Sequence, residues 1–208
     1  MAIEVITADE EGRLAYLAAT AGLDVPKDSL VVFDTGGGSS QFSFGSGARV
    51  DERFSVDVGA VRYTDRFGLD NAVSPEVLQK ALAAIAGDLS RLEGHPAPDM
   101  IVGMGGGLTN MAAVKHAMEA YDPEIVQGTV LDRAEIDRQI ELYRARDAAG
   151  RRVIPGLQPA RAEVILAGAC IVRTIMDKLG CDEVTVSDRG LRHGVLHERF
   201  GPSGSSSD

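Results

Sequence analysis

The chain has 208 residues, of which 44% are hydrophobic and 25% charged, and its formal net charge is −10. That balance describes a soluble globular protein of one large domain, or one and a half small ones, and the acidic surplus argues against non-specific binding to nucleic acid or to an anionic membrane. An anionic substrate stays compatible with it, because backbone N–H groups, an arginine and a metal can hold one locally despite an acidic surface.

No apolar run reaches the length of a membrane span. The opening Met1-Ala2-Ile3-Glu4 lacks the basic region and apolar core of a signal peptide. The two cysteines, Cys170 and Cys181, have no CxxC partner and read as reduced core thiols of a cytoplasmic protein.

In chain order, residues 8–21 are rich in Ala and Leu with acids in the first turn, which predicts a helix stopped by Gly22. The next stretch organises the chain. Leu30-Val31-Val32-Phe33 reads as a buried strand ending in an acid, Asp34. Gly36-Gly37-Gly38 makes a tight turn, and the alternation through Ser40-Gln41-Phe42-Ser43-Phe44 predicts a return strand. Glycines let backbone approach a ligand closely, and successive N–H groups in such a turn can cradle phosphate oxygens. Asp34 beside that turn can hold a hard cation such as Mg²⁺. A plain hairpin turn is the alternative.

Gly45-Ser46-Gly47 is a second turn, and residues 48–58 predict a third strand of the same meander. Gly59-Ala60-Val61-Arg62 opens a short helix to Phe67. Ser74-Pro75-Glu76-Val77 has the residues of a helix start, with a Ser cap and Pro at the first helical position; that helix is expected to run to about Leu92. A loop over residues 94–98 leads to the short strand Met100-Ile101-Val102. A second glycine turn, Gly103 to Asn110, follows, then a helix from Met111 to Tyr121. This strand–glycine–helix order can aim helix N-terminal N–H groups at an anion. It is not the dinucleotide fingerprint, because Leu108 stands where the third glycine would fall, and no Walker lysine follows either turn.

Leu131 to Arg146 predicts an amphipathic helix, Ala149 to Arg152 a basic loop, and Pro159 to Leu179 a long, central apolar helix. Glu183-Val184-Thr185-Val186 predicts a strand, and Asp188-Arg189-Gly190 a turn into a last helix ending near Phe200. Gly201 to Asp208 is a Gly/Ser tail expected to be disordered.

Few side chains outside the glycine turns suggest chemistry. Glu10 and Glu11 read locally as a solvated helix start. Arg62 can clamp a phosphate or form a surface ion pair. His193 and His197 have the spacing of a zinc pair, but no third ligand is suitably placed. No Gly-x-Ser-x-Gly elbow is present.

Together the motifs resemble the exopolyphosphatase and guanosine-pentaphosphate phosphohydrolase (Ppx/GppA) family of the actin-like ATPase superfamily. Glu4 to Leu14 looks like the segment bearing the family's catalytic glutamate, and Asp34-Thr35-Gly36-Gly37-Gly38-Ser39-Ser40 like its second phosphate loop. Val58 to Arg62 with Arg66-Phe67, Gly105 to Thr109, Pro155-Gly156-Leu157 with Arg161-Ala162-Glu163, and Ser187 to Arg192 complete the order. Two departures stand out. Gln41 replaces a usual glutamate, and His193 replaces another. The family's first actin-like domain, roughly a hundred residues, has no counterpart here, so the chain looks like an isolated second lobe.

The resemblance implies an α/β, ribonuclease H-like lobe of the actin-like superfamily, a mixed sheet with helices on both faces in which two later strands extend the meander in parallel. Residues 1–22 would be a helix from the junction with the missing lobe, 23–200 the second lobe, and 201–208 the tail. It implies hydrolysis of a terminal phosphoanhydride in polyphosphate or pppGpp with Mg²⁺, absent or weak in one lobe alone. Glu11 would be the base, with Gln41 in the second catalytic position and Asp34 on the metal. Phosphate contacts would come from Gly36, Gly37, Gly38, Ser39, Gly106 and Arg62. Polyphosphate or guanosine penta- and tetraphosphate would be the partners, with no nucleic acid and no membrane; a homodimer stays open. The alternative is a catalytically silent module that binds ppGpp or phosphate, to which Gln41 and the missing lobe point. A nucleotide-dependent kinase of the same superfamily is disfavoured by the Glu11 and Arg192 segments.

Overall fold

The computed structural model describes residues 7–26 and 28–200. The segment Glu4-Val5-Ile6 and the tail 201–208 lie outside the described residues, as does the side chain of Glu11. Helix α1 (Ala8–Gly22) is capped by Thr7, whose hydroxyl accepts from the Glu10 N–H at 3.2 Å. Strands β1 (Leu30–Thr35), β2 (Ser40–Ser46) and β3 (Arg49–Val56) follow as the expected meander. Then come α2 (Ala60–Phe67) and α3 (Pro75–Asp88), the latter with the Ser74 cap and Pro75 at its first position. Strand β4 (Met100–Met104) leads into α4 (Gly106–Lys115). The rest is α5 (Pro123–Val126), β5 (Val130–Asp132), α6 (Arg133–Arg144), α7 (Ala148–Arg151), α8 (Ile165–Leu179), β6 (Glu183–Val186) and α9 (Leu191–Phe200).

The six strands form one mixed sheet in the order β3-β2-β1-β4-β6-β5. The meander is antiparallel, whereas β1–β4 and β4–β6 are parallel. Alternation sends the two sets of side chains on β1 to opposite faces. Leu30 and Val32 meet Ala15, Tyr16 and Ala19 of α1. Val31 and Phe33 face the larger core, where Phe33 stacks on Phe42 (6.0 Å between ring centroids) and Phe42 on Phe54 (5.3 Å). Helix α8 is buried almost all round, as a helix apolar on every side must be. Helices thus cover both faces, as the resemblance implies. No described helix is long and apolar enough to cross a membrane. Cys170 is buried and unpaired, and desolvation pushes its thiol up to about 12, so it stays protonated.

Several elements differ from expectation. The stretch expected as a helix from Leu131 begins as an edge strand, β5, antiparallel to β6. It has three residues with only Leu131 buried, too short for a period to show. Asp132 then caps α6 by accepting from the Glu135 N–H at 2.7 Å. The helix expected from Met111 to Tyr121 begins at Gly106 and ends at Lys115. The helix expected from Pro159 splits into a 3-10 turn, Pro159–Arg161, and α8. The helix expected to reach Leu92 ends at Asp88, and a 3-10 turn, Ser90–Leu92, follows. The basic loop is in part the short helix α7, and its Arg151 is wholly buried.

Candidate functional site

Parallel strands β1 and β4 end at the same edge of the sheet, with Asp34 in register with Met104. The chain turns sharply after each. In the first turn the Gly36 N–H donates to the Ser39 carbonyl at 2.9 Å. The start of α2 holds this turn by its carbonyls: Ala60 N–H donates to Gly36 (3.0 Å) and Val61 N–H to Gly37 (2.9 Å). Gly59 makes that approach possible, since a Cβ there would sit 2.4 Å from the Gly37 carbonyl oxygen. With its carbonyls bound to α2 and the Gly36 N–H given to Ser39, the turn has the N–H groups of Gly37 and Gly38 left for a ligand.

The second turn packs directly on the first. Gly105, at φ 100 and ψ 161, is the cap of α4. A Cβ on Gly105 would lie 2.7 Å from the Thr35 carbonyl oxygen and 2.8 Å from Asp34 Oδ1. Helix α4 then starts at Gly106, so its unsatisfied N-terminal N–H groups and the positive end of its dipole lie beside Asp34. The exposed Arg161 lies over the same point: a Cβ on Gly106 would fall 2.6 Å from its Nη2. Between the turns is a cavity of about 180 Å³, lined by Asp34 to Gly37, Gly105 to Leu108 and Arg161, with Val61, Val164, Ile165 and Val172 as an apolar floor. A larger groove of about 550 Å³ between α3, α6 and α8 has its charges already paired, Arg173 with both Asp137 and Asp177.

The sequence-derived candidates divide. Asp34, Gly36, Gly37 and Gly106 line the cavity together. Gly38, Ser39, Gln41 and Arg62 stand outside its lining. Gln41 lies directly opposite Asp34 in the β1–β2 register, and its Nε2 donates to Ser39 Oγ at 3.0 Å. Arg62 is exposed; its Nε reaches the Gly38 carbonyl at 3.4 Å and its Nη2 lies 3.7 Å from Asp57, so it braces the first turn from outside. Glu11 belongs to α1, and its side chain lies outside the described residues. Ser43 Oγ donates to the Gly12 carbonyl at 3.2 Å, which holds that turn of α1 against β2. No group of three or more His, Cys, Asp and Glu side chains that could hold a metal ion is present among the described residues, His193 and His197 included.

Arg161 is the lining residue that reading the sequence left without a role, although it falls in one of the quoted motifs. Its signal is the Pro159 turn that stops the chain just ahead of α8. Asn110, buried in α4 and outside the lining, is a second residue without an assigned role, and its signal is its place at the end of the second glycine stretch.

A model of the Ppx/GppA phosphatase family matches residues 1–201. Exopolyphosphatase 2 of Mycobacterium tuberculosis is 30% identical over 206 residues, which cover 93% of this chain and 63% of that protein. The bifunctional 3-dehydroquinate synthase/phosphatase of Fusobacterium nucleatum is 30% identical over 201 residues, 94% of this chain and 30% of that protein. Among solved structures, the type II variant of the Aquifex aeolicus Ppx/GppA phosphatase superposes with a TM-score of 0.89 at 35% identity, covering 95% of this chain and 65% of that one. The chain therefore spans less than two thirds of the length of each of these relatives.

Proposed function

The chain belongs to the Ppx/GppA phosphatase family, and on that footing we propose that it supplies one wall of a phosphohydrolase site releasing terminal phosphate from polyphosphate or pppGpp. The observation that carries this reading is the meeting of two glycine turns at the ends of parallel strands, with Arg161 over the first residue of α4. Backbone N–H groups, a helix N-terminus and a guanidinium converge on one small space, which suits a tetrahedral anion. Phosphoryl transfer needs little covalent help; positioning and charge stabilisation do most of it.

In this reading Gly37 and Gly106 bind phosphate oxygens through their N–H groups, and Gly36, whose N–H is given to Ser39, holds the turn in shape and lines the phosphate's space. Gly38 and Ser39 extend the same turn outward, and Arg62 acts by bracing it. Glu11 orients or deprotonates the attacking water, and Glu11→Gln should lower turnover by about 10²–10⁴-fold, the usual range for a general base. The relatives are longer than the matched part, and we place the facing wall of the cleft in such additional length, so that this chain by itself turns over slowly.

Asp34 is the carboxylate in the cavity lining. It fits Mg²⁺, which takes one or two carboxylates and completes its shell with water and phosphate oxygens rather than an all-protein cage. The bound ion would supply charge neutralisation on the phosphate oxygens.

A second reading, a silent module that binds ppGpp or phosphate, is favoured by Gln41: the position opposite Asp34 offers a neutral amide. Phosphate release from polyphosphate and pppGpp, with and without Mg²⁺, separates the two when this chain is compared with a two-lobed form of it. Hydrolysis by the two-lobed form supports the enzyme; binding of ppGpp without turnover in either form supports the module.

A further inference from the structure

Asn110 is 1% exposed within α4, and both ends of its amide are used. Its Nδ2 donates to the Gly106 carbonyl at 2.8 Å, and its Oδ1 accepts from the Gln158 N–H at 2.8 Å. A carbonyl only accepts and an N–H only donates, so these two backbone partners fix which way the amide points. Gly106 opens α4 and lines the cavity. Gln158 opens the 3-10 turn that ends in Arg161. One buried side chain thus ties the second glycine turn to the segment carrying the guanidinium that lies over it.

The far end of that segment is held as well. The Arg151 guanidinium donates from Nη1 to the carbonyls of Ala162 (3.2 Å) and Leu69 (2.6 Å), from Nε to Tyr143 (2.8 Å) and from Nη2 to Asn71 (2.9 Å). Gly156, at φ 86, lets the loop lie flat on α4, since a Cβ there would be 2.2 Å from the Ala113 carbonyl oxygen. Gln158 to Ala162 is therefore clamped at both ends, with Arg161 between them.

We propose that Asn110 is a positioning residue: its buried amide sets where Arg161 stands relative to the N-terminus of α4 and so pre-organises the anion site. An exposed arginine held over its target loses less side-chain freedom on binding than one that must be gathered from solvent. The proposal rests on reading the cavity as a phosphate site, and it predicts an effect on binding from a residue that does not line that cavity.

The test is a double-mutant cycle on the affinity of this chain for inorganic tripolyphosphate, by titration calorimetry, with thermal unfolding as a check on the fold. Asn110→Ala should weaken binding by about 3- to 10-fold, the worth of a lost hydrogen bond. Arg161→Ala should weaken it more. In the Arg161→Ala background, Asn110→Ala should have no further effect. An undiminished effect in that background makes Asn110 merely structural and overturns the proposal while leaving the phosphate site intact. Unchanged affinity in Arg161→Ala overturns the reading of the cavity, and the proposal with it. Should Asn110→Ala not fold, Gln158→Pro serves in its place. Gln158 has φ −65, already the value proline imposes, so the backbone there accepts the ring, which removes the N–H given to Asn110 and sets its Cδ against the Asn110 amide, breaking the same tie from its other end.

Discussion

Asp34 and Gln41 stand directly opposite each other across the antiparallel β1–β2 pair, one at the end of a strand and one near the start of its return. Residues so paired present their side chains on the same face, with Cβ atoms about 5 Å apart. Ser43, two residues along β2 on that same face, bonds to Gly12 of α1. The face carrying Asp34 and Gln41 is thus the face covered by the helix that contains Glu11.

The chemistry at position 41 bears on the metal. A glutamate there would add a negative charge beside Asp34; the amide has nearly the same shape but is neutral, and its Nε2 is given to Ser39. Gln41→Glu in a two-lobed form should lower the Mg²⁺ concentration needed for half-maximal phosphate release. The check is phosphate release against Mg²⁺ at fixed substrate for both variants. An unchanged or raised requirement in the glutamate variant removes position 41 from the metal's surroundings.

Two neighbouring glycines should respond in opposite ways. Gly105 has a backbone conformation that only glycine adopts readily and no room for a Cβ against Thr35. Gly105→Ala should therefore cost at least about 1–3 kcal/mol, lowering Tm by roughly 2–4 °C per kcal/mol in a domain of this size. A Cβ on Gly107, inside the first turn of α4, would meet nothing within 4 Å. Gly107→Ala should leave Tm unchanged or raise it, by up to about 1 kcal/mol of helix propensity. Thermal unfolding of the two variants side by side checks this; equal loss in both would mean that Gly105 is not held as described.

At high pH the tyrosines should act together. Burial first, and then the negative charge of Asp51, push Tyr16 up to about 12. Burial also raises Tyr63, Tyr121 and Tyr143, with Asp88 adding to the first and Asp188 to the second. Each folded-state value lies above the unfolded value of about 10, so the folded chain holds these protons more tightly. Their contribution to stability is complete below about pH 10 and is lost as pH rises through the folded values. Tyrosinate absorbance and far-UV circular dichroism, followed together in an alkaline titration, should change together. Tyr121 is exposed, so the decisive rings are Tyr16, Tyr63 and Tyr143: their tyrosinates forming near pH 10 with the helices intact would contradict their burial.

Much of this architecture was legible from residue order. The β1–β2–β3 meander shows in its alternation and glycine turns, and α8 in its long apolar run. What stayed hidden depended on distant contacts. Glycine's poor helix propensity makes Gly106 and Gly107 read as turn, yet they open α4, and the close approach of Arg161 leaves no room for a Cβ at Gly106. Strand β5 exists because β6 offers it an edge, and three residues carry no period of their own. Arg151 reads as a surface charge because nothing local says that four carbonyls will surround it. Arg161 gains its place in the cavity only when the loop after α7 folds back on α4.

The central claim is that the turns after β1 and β4 form one phosphate site. The most direct measurement is an amide ¹H–¹⁵N NMR titration of this chain with inorganic tripolyphosphate in the presence of Mg²⁺. The account predicts shifts concentrated at Gly36, Gly37, Gly106 and Gly107, with the Arg161 Nε–H moving in step and the α3–α6–α8 groove unaffected. Saturable shifts centred elsewhere, or none at these glycines at concentrations that bind, would contradict it.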